Sequence, residues 1–176
     1  EAYFKNTIFV FVGDHGIRYN GTLDYFPKAW TEQGLTCEHV PLLFYAPGLL
    51  KPQRIHDVSS QVDILPTIAS LAKIPYKNNS LGRDLFDTAG IYRSITLSPA
   101  DKFAFIIDHD VKTIGLVSNN YYYLKNYKTG TEDFVSMTGN EPIPVTAETD
   151  SIKNYLQHLT NAYYETAKYL LLNNKK

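Results

Sequence analysis

The sequence predicts an α/β fold whose second half is a small antiparallel sheet followed by a long terminal helix. Two runs, Thr7 to Val12 and Val40 to Ala46, are rich in apolar residues, which is typical of strands covered on both faces. Short β-rich runs separated by turn residues follow from Ile91 to Met137. From Ile152 to Leu170, apolar residues recur every three or four positions, as on one face of a helix.

The first half predicts two strands and one helix. The first strand ends at Gly13-Asp14-His15-Gly16, and the second ends at Pro47-Gly48. Between Val62 and Ala72 the apolar residues take helical spacing, and an N-cap at Asp63 places Pro66 in the first turn, where its missing N–H costs no hydrogen bond. Two doubly covered strands cannot form a sheet by themselves, so we expect the chain to be a fragment that lacks its first half.

The second half predicts a meander and a helix. Ser118-Asn119-Asn120 is typical of a hairpin turn, and Asp150 or Ser151 is placed to cap the terminal helix. The β-rich runs of the meander are Ile91 to Leu97, Phe103 to Ile107, Thr113 to Ser118, Tyr121 to Asn126 and Phe134 to Met137. Because the connections are short, we expect these runs to pair with their neighbours in an antiparallel sheet.

The composition excludes several classes of protein. The 176 residues carry 17 Lys and Arg against 18 Asp and Glu, a net charge of −1, whereas nucleic-acid-binding domains gain affinity from a basic excess. Cys37 is the single cysteine, which excludes an internal disulfide and an all-cysteine metal site. No apolar run approaches the roughly 20 residues of a membrane-spanning helix, and no signal-peptide pattern opens the sequence. We therefore expect an ordinary globular chain with no nucleic-acid partner.

Asp14 and His15 are the residues best placed for chemistry. They directly follow a predicted buried strand, and open α/β sheets bind their ligands outside the carboxyl ends of the strands. The flanking glycines, Gly13 and Gly16, permit the backbone to turn so that both side chains reach one ion. A carboxylate oxygen and an imidazole nitrogen suit Zn²⁺ or Mn²⁺. The alternative is structural: Asp14 caps a turn, and His15 is an ordinary loop histidine.

Several segments of the sequence carry a family resemblance when they are taken together. They are Thr7 to Gly16, His39 to Gly48, and Gln61 to Ala72 with Leu81 to Phe86. In order and spacing they resemble the C-terminal part of the sulfatase family, in the branch of the alkaline phosphatase superfamily that contains lipoteichoic acid synthases, which are phosphoglycerol transferases. The resemblance covers residues 3 to 87.

The resemblance implies a fold and a division into domains. The implied fold is the C-terminal part of an alkaline-phosphatase-like three-layer α/β fold. Residues 1–87 would belong to the sulfatase-like catalytic domain, and residues 88–176 would form a C-terminal subdomain that consists of the meander and the helix.

The resemblance also implies a metal-dependent enzyme that hydrolyses or transfers phosphate or sulfate esters through a covalent intermediate. In that family the Asp-His pair supplies two ligands, here Asp14 and His15, for a divalent metal such as Mn²⁺, Zn²⁺ or Ca²⁺. The nucleophile and the other ligands come from earlier in the family's chain, so no catalytic residue is assigned here and the chain alone is expected to be inactive. Cys37 departs from the Cys-x-Pro-Ser-Arg motif of sulfatases, and we interpret it as a small packed side chain.

Partners and location follow from the same resemblance. The implied partners are the missing N-terminal half of the protein and a phosphate or sulfate ester substrate, for which a glycerophospholipid and a glycan are the candidates. The implied location is extracytoplasmic, in a bacterial cell envelope, with membrane attachment only through the absent N-terminal segment. The competing hypotheses are a non-catalytic module, structural or glycan-binding, and a degenerate family member that keeps the fold without the activity.

Several other residues admit both a functional and a structural interpretation. His39 precedes the second strand and either contacts substrate oxygens or bonds to backbone. Arg83 either clamps an anion or fastens a loop through Asp84. Alternate residues of Tyr121-Tyr122-Tyr123 point to opposite faces of a strand, so one or two rings either stack on a sugar or pack within the sheet. The remaining histidines are expected at the surface: His56, His109 and His158.

Overall fold

The computed structural model describes residues 1, 3–19, 21, 23–87 and 102–173. The chain divides into two compact units, Glu1–His56 and Asp57–Lys176. The predicted strand from Ile91 to Leu97 lies outside the described residues. The predicted domain boundary between residues 87 and 88 borders that segment and stays a prediction. None of the helices within the described ranges is both long and apolar enough to cross a membrane.

The first unit is built on a two-stranded antiparallel sheet. Strand β1 (Phe9–Val12) pairs with β2 (Leu42–Tyr45) along their whole length. Two short helices, α1 (Lys28–Glu32) and α2 (Leu35–Glu38), lie between these strands in sequence and pack chiefly on each other. Both strands lie where the sequence predicts them.

Neither strand is covered on both faces, so that part of the prediction is wrong. Phe11 is 58% exposed, and its cross-strand partner Leu43 is 56% exposed. Phe4 packs its ring against Phe9 and Tyr45 at centroid distances of 5.4 and 5.9 Å. Because α1 and α2 pack chiefly on each other, the described part of this unit leaves apolar strand residues in contact with solvent.

Helix α3 (Ile64–Leu71) confirms the predicted helix and its N-terminal boundary, with Pro66 in the first turn. The Asp63 side chain does not cap α3 as predicted. It accepts a hydrogen bond from the Ser60 N–H at 2.8 Å and another from the Arg83 N–H at 2.9 Å. The reason is a preceding 3-10 turn, which moves the cap to Ser60, so that Asp63 lies three positions after the cap and completes a capping box.

The second unit contains the predicted antiparallel meander. The Ser118 N–H donates to the Tyr121 carbonyl at 2.8 Å, which confirms the hairpin turn. Helix α4 (Ala147–Asn173) packs on the two central strands, and Leu116, Tyr123 and Leu156 form the buried centre of this packing. The strands are neighbours in sequence order: β3 (Ala104–Asp108), β4 (Thr113–Val117), β5 (Tyr121–Asn126) and β6 (Glu132–Ser136).

Helix α4 begins earlier than predicted. The Thr146 N–H donates to Thr149 Oγ1 at 3.0 Å, and the Thr149 N–H donates to Thr146 Oγ1 at 3.2 Å, so Thr146 caps the helix. Asp150 and Ser151 lie inside α4, and the prediction that one of them caps it is wrong. The first turn of α4 is largely exposed, and the apolar repeat therefore starts only at Ile152.

The tyrosine run on β5 is packed within the protein. Tyr122 and Tyr123 are 3% and 0% exposed, and burial raises the pKa of the Tyr123 hydroxyl. Tyr121 is half-buried against Phe134, with 5.0 Å between the ring centroids. The interpretation of this run as a sugar-stacking surface is therefore wrong, and its interpretation as sheet packing is confirmed.

Candidate metal-binding site

The Asp14-His15 segment is held against the chain that leads into β2. The Gly13 N–H donates to the Pro41 carbonyl at 3.2 Å, and the Gly16 N–H donates to the Cys37 carbonyl at 2.6 Å. These two backbone hydrogen bonds fix the ends of the short segment that presents both side chains.

The side chains of Asp14 and His15 turn toward each other at the surface. His15 Nε2 lies 3.8 Å from Asp14 Oδ2, and these side chains are 72% and 90% exposed, respectively. The His15 N–H donates to Asp14 Oδ1 at 2.9 Å. His15 Nδ1 lies 2.8 Å from the Gly16 carbonyl oxygen. Because a carbonyl only accepts, Nδ1 carries the proton, and Nε2 of the neutral ring keeps its lone pair.

Local hydrogen bonds shift the pKa values of Asp14 and His15 in the directions that favour the charged form of each side chain. The N–H groups of His15 and of Asp14 itself lower the pKa of the Asp14 carboxyl, and the charge of protonated His15 adds to this. The Gly16 carbonyl raises the pKa of His15, and the Asp14 carboxylate adds to it. Asp14 is therefore ionised at neutral pH, as a metal ligand must be. An ion pair this exposed contributes little to stability.

The donor set of this pair fits part of a metal site. One carboxylate oxygen and one imidazole nitrogen suit Zn²⁺ or Mn²⁺, and metal-binding histidines commonly donate their other ring N–H to a backbone carbonyl, as His15 does to Gly16. In the part of the chain that the structure describes, no group of three or more His, Cys, Asp and Glu side chains is arranged to hold a metal. A closed zinc site takes about four ligands, so this pair offers at most half of the ligands that such a site needs.

His39 lies between Cys37 and Pro41, whose carbonyls bond the two ends of the Asp14-His15 segment. Its ring packs edge-on against Trp30 at 5.0 Å and against Phe26 at 6.3 Å. His39 is exposed, and the substrate contact suggested for it stays a prediction.

A cleft of about 420 Å³ lies beside His39, and no motif of the sequence predicts it. Its aromatic lining comes from a short stretch of the chain: Tyr19, Tyr25, Phe26 and Trp30. The feature of the sequence that could have revealed the cleft is the local density of aromatic residues, which have neither strand nor helix spacing.

The motifs at residues 61–72 and 81–86 are architectural. The buried Thr67 hydroxyl donates to the Asp63 carbonyl at 2.6 Å and accepts from the Leu85 N–H at 3.1 Å. The Arg83 guanidinium donates to the Val58 carbonyl, and the Arg83 N–H donates to the Asp63 carboxylate. Arg83 therefore holds a loop in place, as one of its two interpretations predicts, but its partners are Val58 and Asp63 and not Asp84.

The remaining candidates are structural or surface residues. Cys37 is half-buried, and its Sγ lies 3.8 Å from the Gly16 carbonyl oxygen, as expected of a small packed side chain. The predicted surface histidines are all exposed: His56, His109 and His158.

The fold and the Asp-His segment define a sulfatase-type α/β scaffold. Residues 1–74 match the sulfatase family model, which is the family that the motifs of this segment predict. This family lies in the alkaline phosphatase superfamily and comprises sulfatase and phosphoesterase-type enzymes. Its members generally use divalent metal ions.

Individual relatives come from the same superfamily. Arylsulfatase K of Gallus gallus is 38% identical over 81 residues, which are 46% of this chain and 15% of the relative. The lipoteichoic acid synthase-like protein YvgJ of Bacillus subtilis is 26% identical over 135 residues, which are 72% of this chain and 19% of the relative. A sulfatase-type crystal structure from Bacteroides thetaiotaomicron superposes with a TM-score of 0.58 at 21% identity, over 93% of this chain and 37% of that one, and shares the fold.

Proposed function

We propose that the chain is the C-terminal part of a metal-dependent enzyme that hydrolyses or transfers phosphate or sulfate esters. The match of residues 1–74 to the sulfatase family model supports the enzyme class. Both ester types are included because the relatives are named as an arylsulfatase and a lipoteichoic acid synthase-like protein. The chain spans 15% and 19% of these two relatives, which supports the proposal that it acts together with a preceding part of the same protein.

One observation carries the proposal: His15 Nε2 and Asp14 Oδ2 lie 3.8 Å apart while His15 Nδ1 bonds the Gly16 carbonyl. We propose that these two side chains are ligands of a divalent ion, Mn²⁺, Zn²⁺ or Ca²⁺. Such an ion stabilises the negative charge that develops on phosphoryl or sulfuryl oxygens. Asp14 holds the ion by its charge, and His15 holds it by the lone pair that its hydrogen bond leaves on Nε2.

The nucleophile and the other metal ligands are proposed to lie in the part of the protein that precedes this chain. Cys37 is not a candidate, because it is half-buried and outside the sulfatase motif. With two ligands only, the chain alone should bind metal weakly and lack activity. The proposed substrates are glycerophospholipid or glycan esters. The proposed location is a bacterial cell envelope, with membrane attachment through the preceding part.

Metal content and ester cleavage test this proposal. In the full-length protein, Asp14→Asn and His15→Ala should each lower the bound Mn²⁺ or Zn²⁺, because each removes one ligand. Cleavage of nitrophenyl sulfate or nitrophenyl phosphate should fall by about 100-fold. Elemental analysis measures the metal, and nitrophenol release measures the rate.

His109 and Asp110 provide matched controls, because they are an adjacent exposed histidine and aspartate between β3 and β4. His109→Ala and Asp110→Asn should leave metal content and rate unchanged within about twofold, as surface substitutions usually do. Unchanged metal content in Asp14→Asn and His15→Ala would contradict the proposal and favour a non-catalytic module or a degenerate family member.

A further inference from the structure

The last nine residues of helix α4 are largely exposed. Nearer the middle of the helix, the rings of Tyr163 and Phe105 lie 5.6 Å apart, and those of Tyr164 and Tyr127 lie 5.9 Å apart. From Tyr164 the helix continues for nine residues to Asn173, a length of about 13 Å. Seven of these nine residues are exposed, so this end of α4 is in contact with solvent.

Four apolar residues surround the helix axis near this end. Tyr169, Leu170, Leu171 and Leu172 are consecutive, and successive residues of a helix lie about 100° apart around its axis. We call residues 169–172 the helix tip. Tyr169, Leu171 and Leu172 are 64%, 84% and 76% exposed. A protein partner covers one side of a helix, whereas the interfacial region of a bilayer surrounds an inserted helix end, so this arrangement favours a lipid occupant.

The surroundings of the helix tip carry an excess of positive charge. Tyr127, whose ring stacks on Tyr164, lies in the turn between β5 and β6, and its N–H donates to the Lys112 carbonyl in the turn between β3 and β4 at 2.9 Å. Both turns therefore lie at the end of the sheet where the exposed part of α4 begins. In the sequence, these two turns and residues 165–176 contain five Lys against one Asp and one Glu. Anionic lipid headgroups attract such an excess.

Polar groups next to the helix tip do not oppose this contact. Glu165 is the acidic residue of residues 165–176, and Lys168 Nζ lies 3.0 Å from each of its carboxylate oxygens. Its negative charge is therefore offset locally. The Asn173 side-chain amide donates to the Tyr169 carbonyl at 2.9 Å, so this polar group turns back onto the helix. The helix tip thus presents apolar side chains between lysines of the sequence.

We propose that the helix tip inserts into the interfacial region of an anionic lipid bilayer. The leucines enter the boundary between headgroups and acyl chains, Tyr169 lies at the level of the headgroups, and the neighbouring lysines contact lipid phosphates. The contact is peripheral, because a spanning helix needs about 20 apolar residues. It is additional to the attachment proposed for the preceding part of the protein, and it does not depend on the proposed enzyme activity.

Co-sedimentation of the 176-residue chain with lipid vesicles tests this inference without the attachment proposed for the preceding part. Vesicles of equal parts phosphatidylglycerol and phosphatidylcholine should bind the chain saturably at millimolar lipid. Pure phosphatidylcholine should bind it at least about fivefold more weakly, and high salt should weaken binding to the anionic vesicles by a similar factor. Equal binding to both kinds of vesicle, or binding to neither, would overturn the inference.

The combined substitutions Leu171→Ser and Leu172→Ser test the helix tip itself. Both side chains are exposed, so their replacement does not threaten folding, and binding to the anionic vesicles should weaken at least about tenfold. The matched controls are Leu43→Ser, 56% exposed on the first sheet, and Val145→Ser, 87% exposed ahead of α4. Each control should change binding by less than about twofold. Undiminished binding of the tip variant, or equal loss in Leu43→Ser, would overturn the inference.

Tryptophan fluorescence locates the inserted residue. Because Trp30 is the single tryptophan of the chain, Tyr169→Trp in a Trp30→Phe background confines the emission to the helix tip. Anionic vesicles should shift this emission to shorter wavelength, and brominated acyl chains should quench it. Val145→Trp in the same background should show neither effect. Equal quenching in both variants would overturn the inference, as would a tip that leaves vesicles unbound and instead joins two copies of the chain in light scattering.

Discussion

Gly16 joins the Asp-His pair to α2, and its replacement tests this geometry at the scale of one residue. A Cβ at this position would lie 2.2 Å from the Thr36 carbonyl oxygen, so Gly16→Ala forces two backbone segments apart. We expect the free energy of unfolding to fall by about 2 kcal/mol, as for other overpacked sites, and urea denaturation measures it. Because the Gly16 carbonyl orients His15, which we propose as a metal ligand, the metal content of the full-length protein should fall as well.

Gly139 is the matched control for this substitution, because a Cβ there would meet nothing within 4 Å. Gly139→Ala should change the free energy of unfolding by less than about 0.5 kcal/mol. If both variants lose the same free energy of unfolding, the close contact with Thr36 does not explain the destabilisation by Gly16→Ala.

The sequence predicts that Asp14 and His15 closely follow a strand, as they do, but it does not predict the ring partners of His39. The Asp-His pair follows a strongly apolar run directly, so its signal is local. Trp30 meets His39 because α1 and α2 pack on each other, and these helices have only five and four residues. Helices this short show no recognisable apolar period, so the cleft appears only with the tertiary structure.

The start of α4 depends on a threonine pair, which gives a prediction at the scale of one element. Thr146 Oγ1 accepts the Thr149 N–H at 3.2 Å and so satisfies one of the N–H groups that no helical carbonyl reaches. Thr146→Ala should lower the free energy of unfolding by about 1 kcal/mol, the usual cost of a lost N-cap. Thermal unfolding followed by circular dichroism measures the loss.

Ser151→Ala is the control for the cap, because the apolar pattern places the helix start near Ser151 whereas the structure places this exposed residue inside α4. It should change stability by less than about 0.5 kcal/mol, since alanine is a good helix former. A larger loss in Ser151→Ala than in Thr146→Ala would contradict the observed start of the helix.

Elements with a strong repeat are predictable from the sequence, and their ends are less so. Strand β6 begins at Glu132, two positions before the apolar run that predicts it, because pairing of Glu132 with Lys125 on β5 extends the ladder through polar residues. Backbone pairing does not require apolar side chains. The same reason applies at α3 and α4, where polar side chains rather than the apolar repeat determine the cap.

At the scale of the whole chain, the sequence predicts the α/β class but not whether β1 and β2 are buried. Apolar runs identify β1 and β2 whether or not anything covers them. Covering both faces of a strand takes further layers of structure, and the described residues of the first unit supply two short helices that pack chiefly on each other. The chain also spans only 15% and 19% of two of its curated relatives.

The exposed face of the first sheet predicts self-association of the 176-residue chain. Phe11, Leu43 and Tyr45 lie on one face of this sheet and are 58%, 56% and 44% exposed. Covering a contiguous apolar face releases ordered water, so light scattering should give a mass above that of one chain. Leu43→Lys should restore the mass of one chain, whereas Val145→Lys, 87% exposed and outside this face, should not. If the unmodified sequence has the mass of a single chain, the prediction is wrong, because this apolar face then remains exposed to solvent without causing association.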